Sequence, residues 1–381
     1  MSQSPYRPIV FLPCTGLGRV SRGYESFTSE LFQSIRNEPK LYPFLLKSRF
    51  SSDSQVSYVP SLSRTSPFTK FAARVVGRSA YYLEQYSFFL GMRPAFSRLR
   101  PDLIFLSDVD LARLLWKYRR STNSSFRIAF SNGGPIHPPF DFADHIHQVA
   151  PVHMEYALAK GARESSQTLI PYGVSMTPYA SVTMDEKRSL RKETDLPTDR
   201  KILLSVAAIN SSHKRIDYLI NEISSIPIES RPFLLMLGQL EIESPPIIKL
   251  AGQVLRKNDY RFLSVNSSNV KSFYRLADVF SLSSLREGLP RSLIEASSHG
   301  LPCVVHNNEM TRFVLGESGF YGDMEMAGSI RTLLPEILYR WSARKAELQA
   351  KLVRERFGWE MLSPKYVELL LTILNSSSQC D

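Results

Sequence analysis

The stretch Ser283–His306, SSLREGLPRSLIEASSHGLPCVVH, carries the signals of a strand end, a loop, a helix and the next strand. The apolar run Val279–Leu282 before it predicts a buried strand. Pro290 suits the first turn of a helix and Gly300 suits its end, which predicts a short helix between them. The loop in front of this helix offers the Glu287 carboxylate and backbone N–H groups beside a helix N-terminus. An anionic or polyhydroxylated ligand is well held at such a place.

Outward from this stretch, short apolar runs alternate with helical stretches along the whole chain, which predicts parallel α/β layers. In the first half the predicted strands are Ile9–Cys14, Leu41–Leu46, Gln55–Val59, Leu103–Leu106, Arg127–Phe130 and Thr168–Ile170. In the second half they are Ile202–Ala208, Phe233–Leu237, Arg261–Val265, Val279–Leu282 and Cys303–His306.

A chain of 381 residues is longer than a typical single domain, so we expect two. The two strand series predict two consecutive Rossmann-like domains, at 1–175 and 201–358. Between them, 176–200 is rich in proline and polar residues and is predicted to be a linker. Residues 359–381 are predicted to form a terminal helical segment. Ligands of such domain pairs bind at the carboxyl ends of the strands.

Glu287 and Glu295 stand within EGLPRSLIEA, which is followed by GLPCVV. Carboxylates at this spacing are suited to accept hydrogen bonds from sugar hydroxyls. The segment resembles the donor-sugar motif of the retaining GT-B glycosyltransferases of the group 1 (family 4) type. The resemblance implies an α/β GT-B fold, in which two Rossmann-like domains face each other across a cleft and the C-terminal helix crosses back to the first domain. It also implies that Glu287 contacts the transferred sugar and Glu295 the ribose, with Gly288 and Leu289 in the donor site.

The segment Ile202–Ile220, ILLSVAAINSSHKRIDYLI, resembles the first strand, loop and helix of the family's donor domain. Lys214 falls at the position of the lysine that grips the donor diphosphate, where a cation neutralises charge on the leaving group. The family's arginine four or five residues earlier is missing, and Arg215 is predicted to substitute for it. By the same resemblance, Gly238 in FLLMLGQ lies near the nucleotide.

The first half matches this family more loosely. The run TGLGRVSRGYESF follows the first predicted strand, and its Gly16 and Gly18 allow close approach of a ligand to the backbone. It resembles the family's glycine-rich loop near phosphate and acceptor, and Arg19 and Arg22 are predicted to contact one or the other.

A departure from the family follows the strand Arg127–Phe130, where many members carry a histidine that contacts the sugar. This chain has Asn132 and two glycines there, with His137 a few residues further on. Asn132 is predicted to contact sugar or acceptor, together with the Gly133–Gly134 backbone. His137 is the second candidate for a catalytic role.

The formal charge of +11 is concentrated in the first half, because residues 1–170 carry 21 Lys/Arg against 12 Asp/Glu. Within 64–100 the basic residues are interleaved with aromatic ones, a pattern that docks on anionic membranes or on nucleic acid, or is merely solvated. We favour the membrane surface, because neither a zinc-finger spacing nor an RNP-like motif supports nucleic acid binding. No apolar run reaches the roughly 20 residues needed to cross a bilayer. No signal peptide is evident, which predicts a cytoplasmic protein that is peripheral on the inner face of the membrane.

Three cysteines far apart indicate neither a disulfide framework nor a zinc cluster, and no aspartate-rich metal motif is evident. We therefore expect no metal and no cofactor besides the co-substrate, a nucleotide diphosphate sugar of UDP, GDP or ADP type.

The resemblance implies retaining transfer of a sugar to a hydroxyl of a glycan or lipid-linked acceptor, in glycan, polysaccharide or glycolipid biosynthesis. Three alternatives stay open at this point. The chain is a non-catalytic GT-B scaffold or partner subunit, a GT-B epimerase, or a basic nucleic-acid-binding protein.

Overall fold

The computed structural model describes residues 6–19, 23–134, 136–266 and 269–376. The chain divides into two compact units. The first combines the residues up to Ser175 with those from Trp359 onward, and the second is Met176–Gly358.

All strand pairs in both sheets are parallel. The strands of the first domain are β1 (Ile9–Cys14), β2 (Tyr42–Lys47), β3 (Val56–Tyr58), β4 (Leu103–Leu106), β5 (Arg127–Asn132), β6 (His145–Gln148) and β7 (Gln167–Leu169). Those of the second domain are β8 (Ile202–Val206), β9 (Phe233–Leu237), β10 (Tyr260–Leu263), β11 (Val279–Leu282), β12 (Cys303–His306) and β13 (Phe320–Gly322).

The helices cover the faces of these sheets. Those between strands of the first domain are α1 (Gly23–Ile35), α2 (Pro67–Val76), α3 (Ala80–Leu99), α4 (Val109–Thr122) and α5 (Pro151–Ala159). The second domain contains α6 (Met184–Glu193), α7 (Ile216–Ser224), α8 (Ser244–Val254), α9 (Val270–Leu276), α10 (Arg291–Ser298), α11 (Glu309–Leu315), α12 (Ser329–Arg340) and α13 (Ala343–Phe357). The chain ends with α14 (Trp359–Asn375).

Strand order places one reversal at the centre of each sheet. The first sheet runs β3-β2-β1-β4-β5-β6-β7, and the second runs β10-β9-β8-β11-β12-β13. Both are doubly wound, with the reversal between β1 and β4 and between β8 and β11. Loops leave the sheet on opposite sides at such a point, so a crevice opens beyond the carboxyl ends of the two strands.

The terminal helix α14 packs within the first domain, as the GT-B expectation requires. The Trp359 indole donates to Glu30 on α1 at 2.8 Å. The fully buried Tyr366 donates to the Pro171 carbonyl at 3.0 Å, and Arg127 on β5 donates to the Ile373 carbonyl. The last segment of the chain is therefore part of the first domain.

Residues 176–200, expected to be a linker, instead contain helix α6 and lie within the second unit. A capping box of Thr183 and Glu186 starts this helix. The buried Arg191 anchors it, donating to the Leu276 carbonyl at 2.7 Å and to Asp278 at 2.7 Å. The proline and polar content that suggested a linker belongs to the turns around α6.

Strands β6 and β13 are additional to the predicted ones. The sequence of β6 is HIHQ, which is too polar to indicate a strand, but three of its four residues are buried. Its polar side chains pair across the sheet: His147 contacts Ser131 at 2.9 Å, and Gln148 accepts from Asn132 at 3.0 Å. Buried polar groups are tolerated when they are hydrogen-bonded, as here.

Candidate active site

The loop that follows β8 is shaped by the side chain of Asn210. Its Oδ1 accepts from the backbone N–H of Lys214 at 2.7 Å and from that of His213 at 3.2 Å. Its Nδ2 donates to Glu241 at 2.8 Å. The loop is thus folded back on itself in front of α7, and Lys214 sits at a fixed place at the carboxyl edge of the sheet.

Glu243 holds the same loop from the β9 side. Its carboxylate accepts from the backbone and hydroxyl groups of Ser211 and Ser212, at 2.6–3.0 Å. The hydrogen bonds from Ser212 and Ser211 lower the pKa of Glu243 to about 2. These hydrogen bonds therefore favour the ionised carboxylate.

Lys214 and Glu287 meet at the reversal between β8 and β11. The Lys214 Nζ lies 2.5 Å from the Glu287 Oε1. The two side chains are 19% and 11% exposed, so the pair is sheltered but still reachable from solvent. A lysine and a glutamate predicted to hold diphosphate and sugar are thus brought together at the crevice of the second sheet.

The loop Glu287–Pro290 leads directly into α10. Within the described residues, nothing accepts a hydrogen bond from the backbone N–H groups of Gly288 and Leu289. The N-terminal end of α10 also carries partial positive charge. The predicted donor-site residues therefore offer hydrogen-bond donors next to the Lys214–Glu287 pair.

Glu295 lies on α10 and is held by a buried tyrosine of α9. The hydroxyl of Tyr274 donates to the Glu295 Oε2 at 2.9 Å. Burial, and then the negative charge of Glu295, raise the pKa of Tyr274 well above its usual range, so the hydroxyl keeps its proton. The ring of His299 stacks on Tyr274 with the centroids 5.3 Å apart and fixes the ring orientation. The buried Tyr274 thus orients the Glu295 carboxylate.

The structure does not bring Arg215 to this pair. Arg215 adopts a left-handed backbone with φ of 51°, and its guanidinium donates to the Met324 carbonyl and lies 4.7 Å from the centre of the Tyr218 ring. Because adjacent residues diverge here, Arg215 is not placed to replace the family's missing arginine. Gly238 is explained by packing, since a Cβ there would lie 1.8 Å from the Ala207 carbonyl oxygen.

In the first domain, the glycine loop follows β1 at the corresponding reversal. Gly18 has φ of +87°, a conformation that favours glycine, and a Cβ would meet the Arg49 side chain. Arg19 is already engaged, donating to the Leu62 carbonyl and to the Ser61 carbonyl at 2.9 Å. Its guanidinium therefore has structural partners, and its contact with a ligand stays a prediction. Arg22 lies outside the described residues.

Asn132 ends β5 and is 1% exposed. Its Oδ1 accepts from the Ile136 N–H at 2.8 Å, and its Nδ2 donates to Gln148 at 3.0 Å. The side chain therefore shapes the loop and is not free to contact a sugar, contrary to the prediction. His137, on the same loop, is exposed, and its ring lies against Tyr156 with the centroids 4.7 Å apart.

Asp108 follows β4 and caps α4 by accepting from the N–H groups of Asp110 and Leu111, both at 3.1 Å. Tyr81 of α3 also donates to it. Burial raises the pKa of Asp108 to about 6. Asp108 therefore has a structural role as the N-cap of α4.

Sequence reasoning missed Asn210, Glu243 and Tyr274. Asn210 stands a few residues before a helix, and an asparagine at such a position often closes a loop through a side-chain hydrogen bond. Its role could therefore have been predicted from the sequence. No local sequence signal indicates the other two. Glu243 contacts the loop after the neighbouring strand β8, and Tyr274 contacts Glu295 from another helix.

Two searches bear on ligands and membranes. In the described ranges, no three His, Cys, Asp or Glu residues are grouped so that they would hold a metal ion. Nor is any helix of those ranges long and apolar enough to cross a membrane.

Residues 186–328 match the family model described as "Glycosyl transferases group 1". That segment includes Lys214, Glu287 and Glu295. A search of the curated proteins finds no match.

Solved structures similar to this chain match over nearly its whole length. Sucrose-phosphate synthase from Thermosynechococcus elongatus has a TM-score of 0.78 at 15% identity, covering 98% of this chain and 100% of that one. HepE from Anabaena, in complex with UDP and glucose, has a TM-score of 0.72 at 14% identity, covering 96% and 100%. The catalytic domain of starch synthase IV from Arabidopsis thaliana, bound to ADP and acarbose, has a TM-score of 0.70 at 13% identity, covering 97% and 99%.

The fold is therefore GT-B, with two Rossmann-like domains and a terminal helix that returns to the first. The resemblance to the group 1 glycosyltransferases is confirmed for residues 186–328, the segment of the second domain that contains the Lys214–Glu287 pair.

Proposed function

We propose that this protein transfers a sugar from a nucleotide diphosphate sugar to a hydroxyl acceptor with retention of the anomeric configuration. The observation that carries the proposal is the Lys214–Glu287 pair, formed between the loops after β8 and β11 at the reversal of the second sheet. It sets a cation, a carboxylate and a helix N-terminus beside one another, which suits a ligand that is both phosphorylated and hydroxylated.

Each group has a distinct role in the proposed reaction. Lys214 and the N–H groups of Gly288 and Leu289 hold the diphosphate, Glu287 accepts from sugar hydroxyls, and Glu295 accepts from the ribose. The bond between the anomeric carbon and the diphosphate oxygen breaks, and the acceptor oxygen forms the new bond on the same face. The acceptor's proton passes to the departing diphosphate. Catalysis then depends on positioning and on stabilising the leaving charge.

The acceptor is proposed to be a glycan or a lipid-linked sugar bound by the first domain. The glycine turn at Gly16–Gly18 follows the carboxyl end of β1, and Gly133 and Gly134 follow that of β5, where ligands of parallel sheets bind. The protein is proposed to act in the cytoplasm, in part on the inner face of the membrane, in polysaccharide or glycolipid biosynthesis.

Thermal unfolding with UDP, GDP, ADP and their sugar conjugates tests the donor site. One nucleotide series at about a hundred times its Kd should stabilise the protein by about 2.7 kcal/mol. Lys214→Ala and Glu295→Ala should abolish that shift. Lys249→Ala, an exposed lysine of α8, is the matched control and should keep it. No shift from any donor, or the same shift in all variants, would refute the proposal, and the anomer of the product sugar, read by NMR, decides retention.

A non-catalytic GT-B relative is the second candidate. It is favoured by Arg215, whose guanidinium is held by the Met324 carbonyl and the Tyr218 ring and so does not substitute for the family's missing arginine. This candidate predicts donor binding without release of the nucleotide diphosphate in the presence of any acceptor.

A further inference from the structure

Helix α2 turns an apolar face toward solvent. Phe68, Phe71, Val75 and Val76 are 61–72% exposed, and the spacing of Phe68, Phe71 and Val75 places these three on one side of the helix. The small residues Thr69 and Ala73 are the buried ones. A surface helix of a globular domain normally shows the reverse arrangement, with the apolar stripe toward the core.

Positive charge borders this face. Lys70 and Arg74 lie on α2, and Arg78 follows its C-terminal glycine. None of the three is in an ion pair with any other described residue, and no acidic residue occurs in the sequence between Asp53 and Glu84. The cations are therefore uncompensated by neighbours.

The adjoining helix α3 fixes the place of α2 in the first domain. Gln85 accepts from Thr15 after β1 at 2.8 Å, and Tyr81 donates to Asp108 after β4. Glu84 forms an ion pair with Arg64 at 2.5 Å. The start of α3 thus lies at the carboxyl edge of the first sheet, and only residues 77–79 separate it from α2.

We propose that α2 docks on an anionic lipid bilayer, with its four apolar side chains in the headgroup region and Lys70, Arg74 and Arg78 on the lipid phosphates. The inference rests on the proposed function in one respect, since the bilayer would bring a lipid-linked acceptor to the edge where the glycine loop lies. An apolar face bordered by cations is the composition of interfacial helices. Four side chains on one convex helix are few compared with the roughly 20–30 residues that each partner gives to a stable protein interface.

Vesicle flotation tests this surface. The full chain should bind vesicles of phosphatidylcholine with phosphatidylglycerol, and bind phosphatidylcholine alone much more weakly. Each cation near such a surface contributes about fivefold, so Lys70→Gln with Arg74→Gln should weaken binding about 25-fold. Phe68→Ser with Phe71→Ser should weaken it at least about tenfold. Tyr339→Ser and Arg188→Gln, exposed positions of the second domain, are the matched controls and should leave binding unchanged.

Three results would overturn the proposal. They are no binding of the wild-type chain to anionic vesicles, equal binding by the α2 variants, and a wild-type dimer in size-exclusion chromatography that Phe68→Ser with Phe71→Ser converts to a monomer. The donor-induced thermal shift separates this proposal from the proposed function. The α2 variants should keep that shift, and its absence in wild type while vesicle binding persists would count against the donor site alone.

Discussion

Glu295 and Tyr274 form the most specific single contact of the candidate donor site. Tyr274→Phe removes one hydroxyl, and the Glu295 carboxylate loses a donor at 2.9 Å. A hydrogen bond to a charged group contributes about 1.5–3 kcal/mol, so we expect roughly tenfold weaker binding of the nucleotide identified by thermal shift. Calorimetric titration measures this affinity.

The control for that measurement is Tyr260→Phe, which alters a half-buried tyrosine of β10 in the same domain. Equal nucleotide affinity in wild type and Tyr274→Phe would show that Glu295 needs no positioning by the core.

Helix α6 is held to the rest of the second domain by the buried Arg191 and by Lys187, which donates to the Ala277 carbonyl at 2.6 Å. Arg191→Leu leaves the Leu276 carbonyl without this donor and removes a cation from Asp278, so we expect the free energy of unfolding to fall by about 3 kcal/mol. Urea denaturation measures it. Arg188→Leu, on the exposed side of the same helix, should change it by less than about 0.5 kcal/mol. An unchanged midpoint for Arg191→Leu would mean that α6 is a detachable segment.

Elements with strong local patterns were predictable from the sequence. The apolar runs of β1, β4, β8, β9, β11 and β12 are visible in composition alone, and Pro290 and Gly300 bracket α10. The polar strand β6 was missed because its histidines and glutamine are stabilised by partners on β5 and β7. Likewise α6 was taken for a linker because its anchor, Arg191, is one residue among many exposed charged ones in the sequence.

At the scale of the molecule, the first domain should be sensitive to acid. Burial lowers the pKa of His145, His147 and His153 to about 4. Between pH 6.5 and 4 the unfolded chain therefore binds protons that the folded chain does not, and stability falls as the pH falls. The fully buried His147 alone should account for about 2 kcal/mol between pH 7.5 and pH 5.

NMR checks this directly, because the ring signals of His147 should stay in place between pH 7.5 and pH 5. A titration shift of those signals centred near pH 6.5 would contradict the prediction. Urea denaturation at the two pH values should show the accompanying loss of stability.

Local sequence patterns were enough to predict the α/β class, the strand–loop–helix that carries Glu287 and Glu295, and the loop that carries Lys214. Each of these depends on spacing within one short segment, which backbone propensities and turn residues encode. Which side chains contact each other became visible in the folded structure alone. Lys214 pairs with Glu287 across 73 residues while its neighbour Arg215 turns away. The side chain of Asn132 is hydrogen-bonded within its own domain, and α14 packs against the first domain. Contacts between residues far apart in the sequence depend on strand order and on the direction of each side chain. Long-range packing fixes both of these, and local sequence fixes neither.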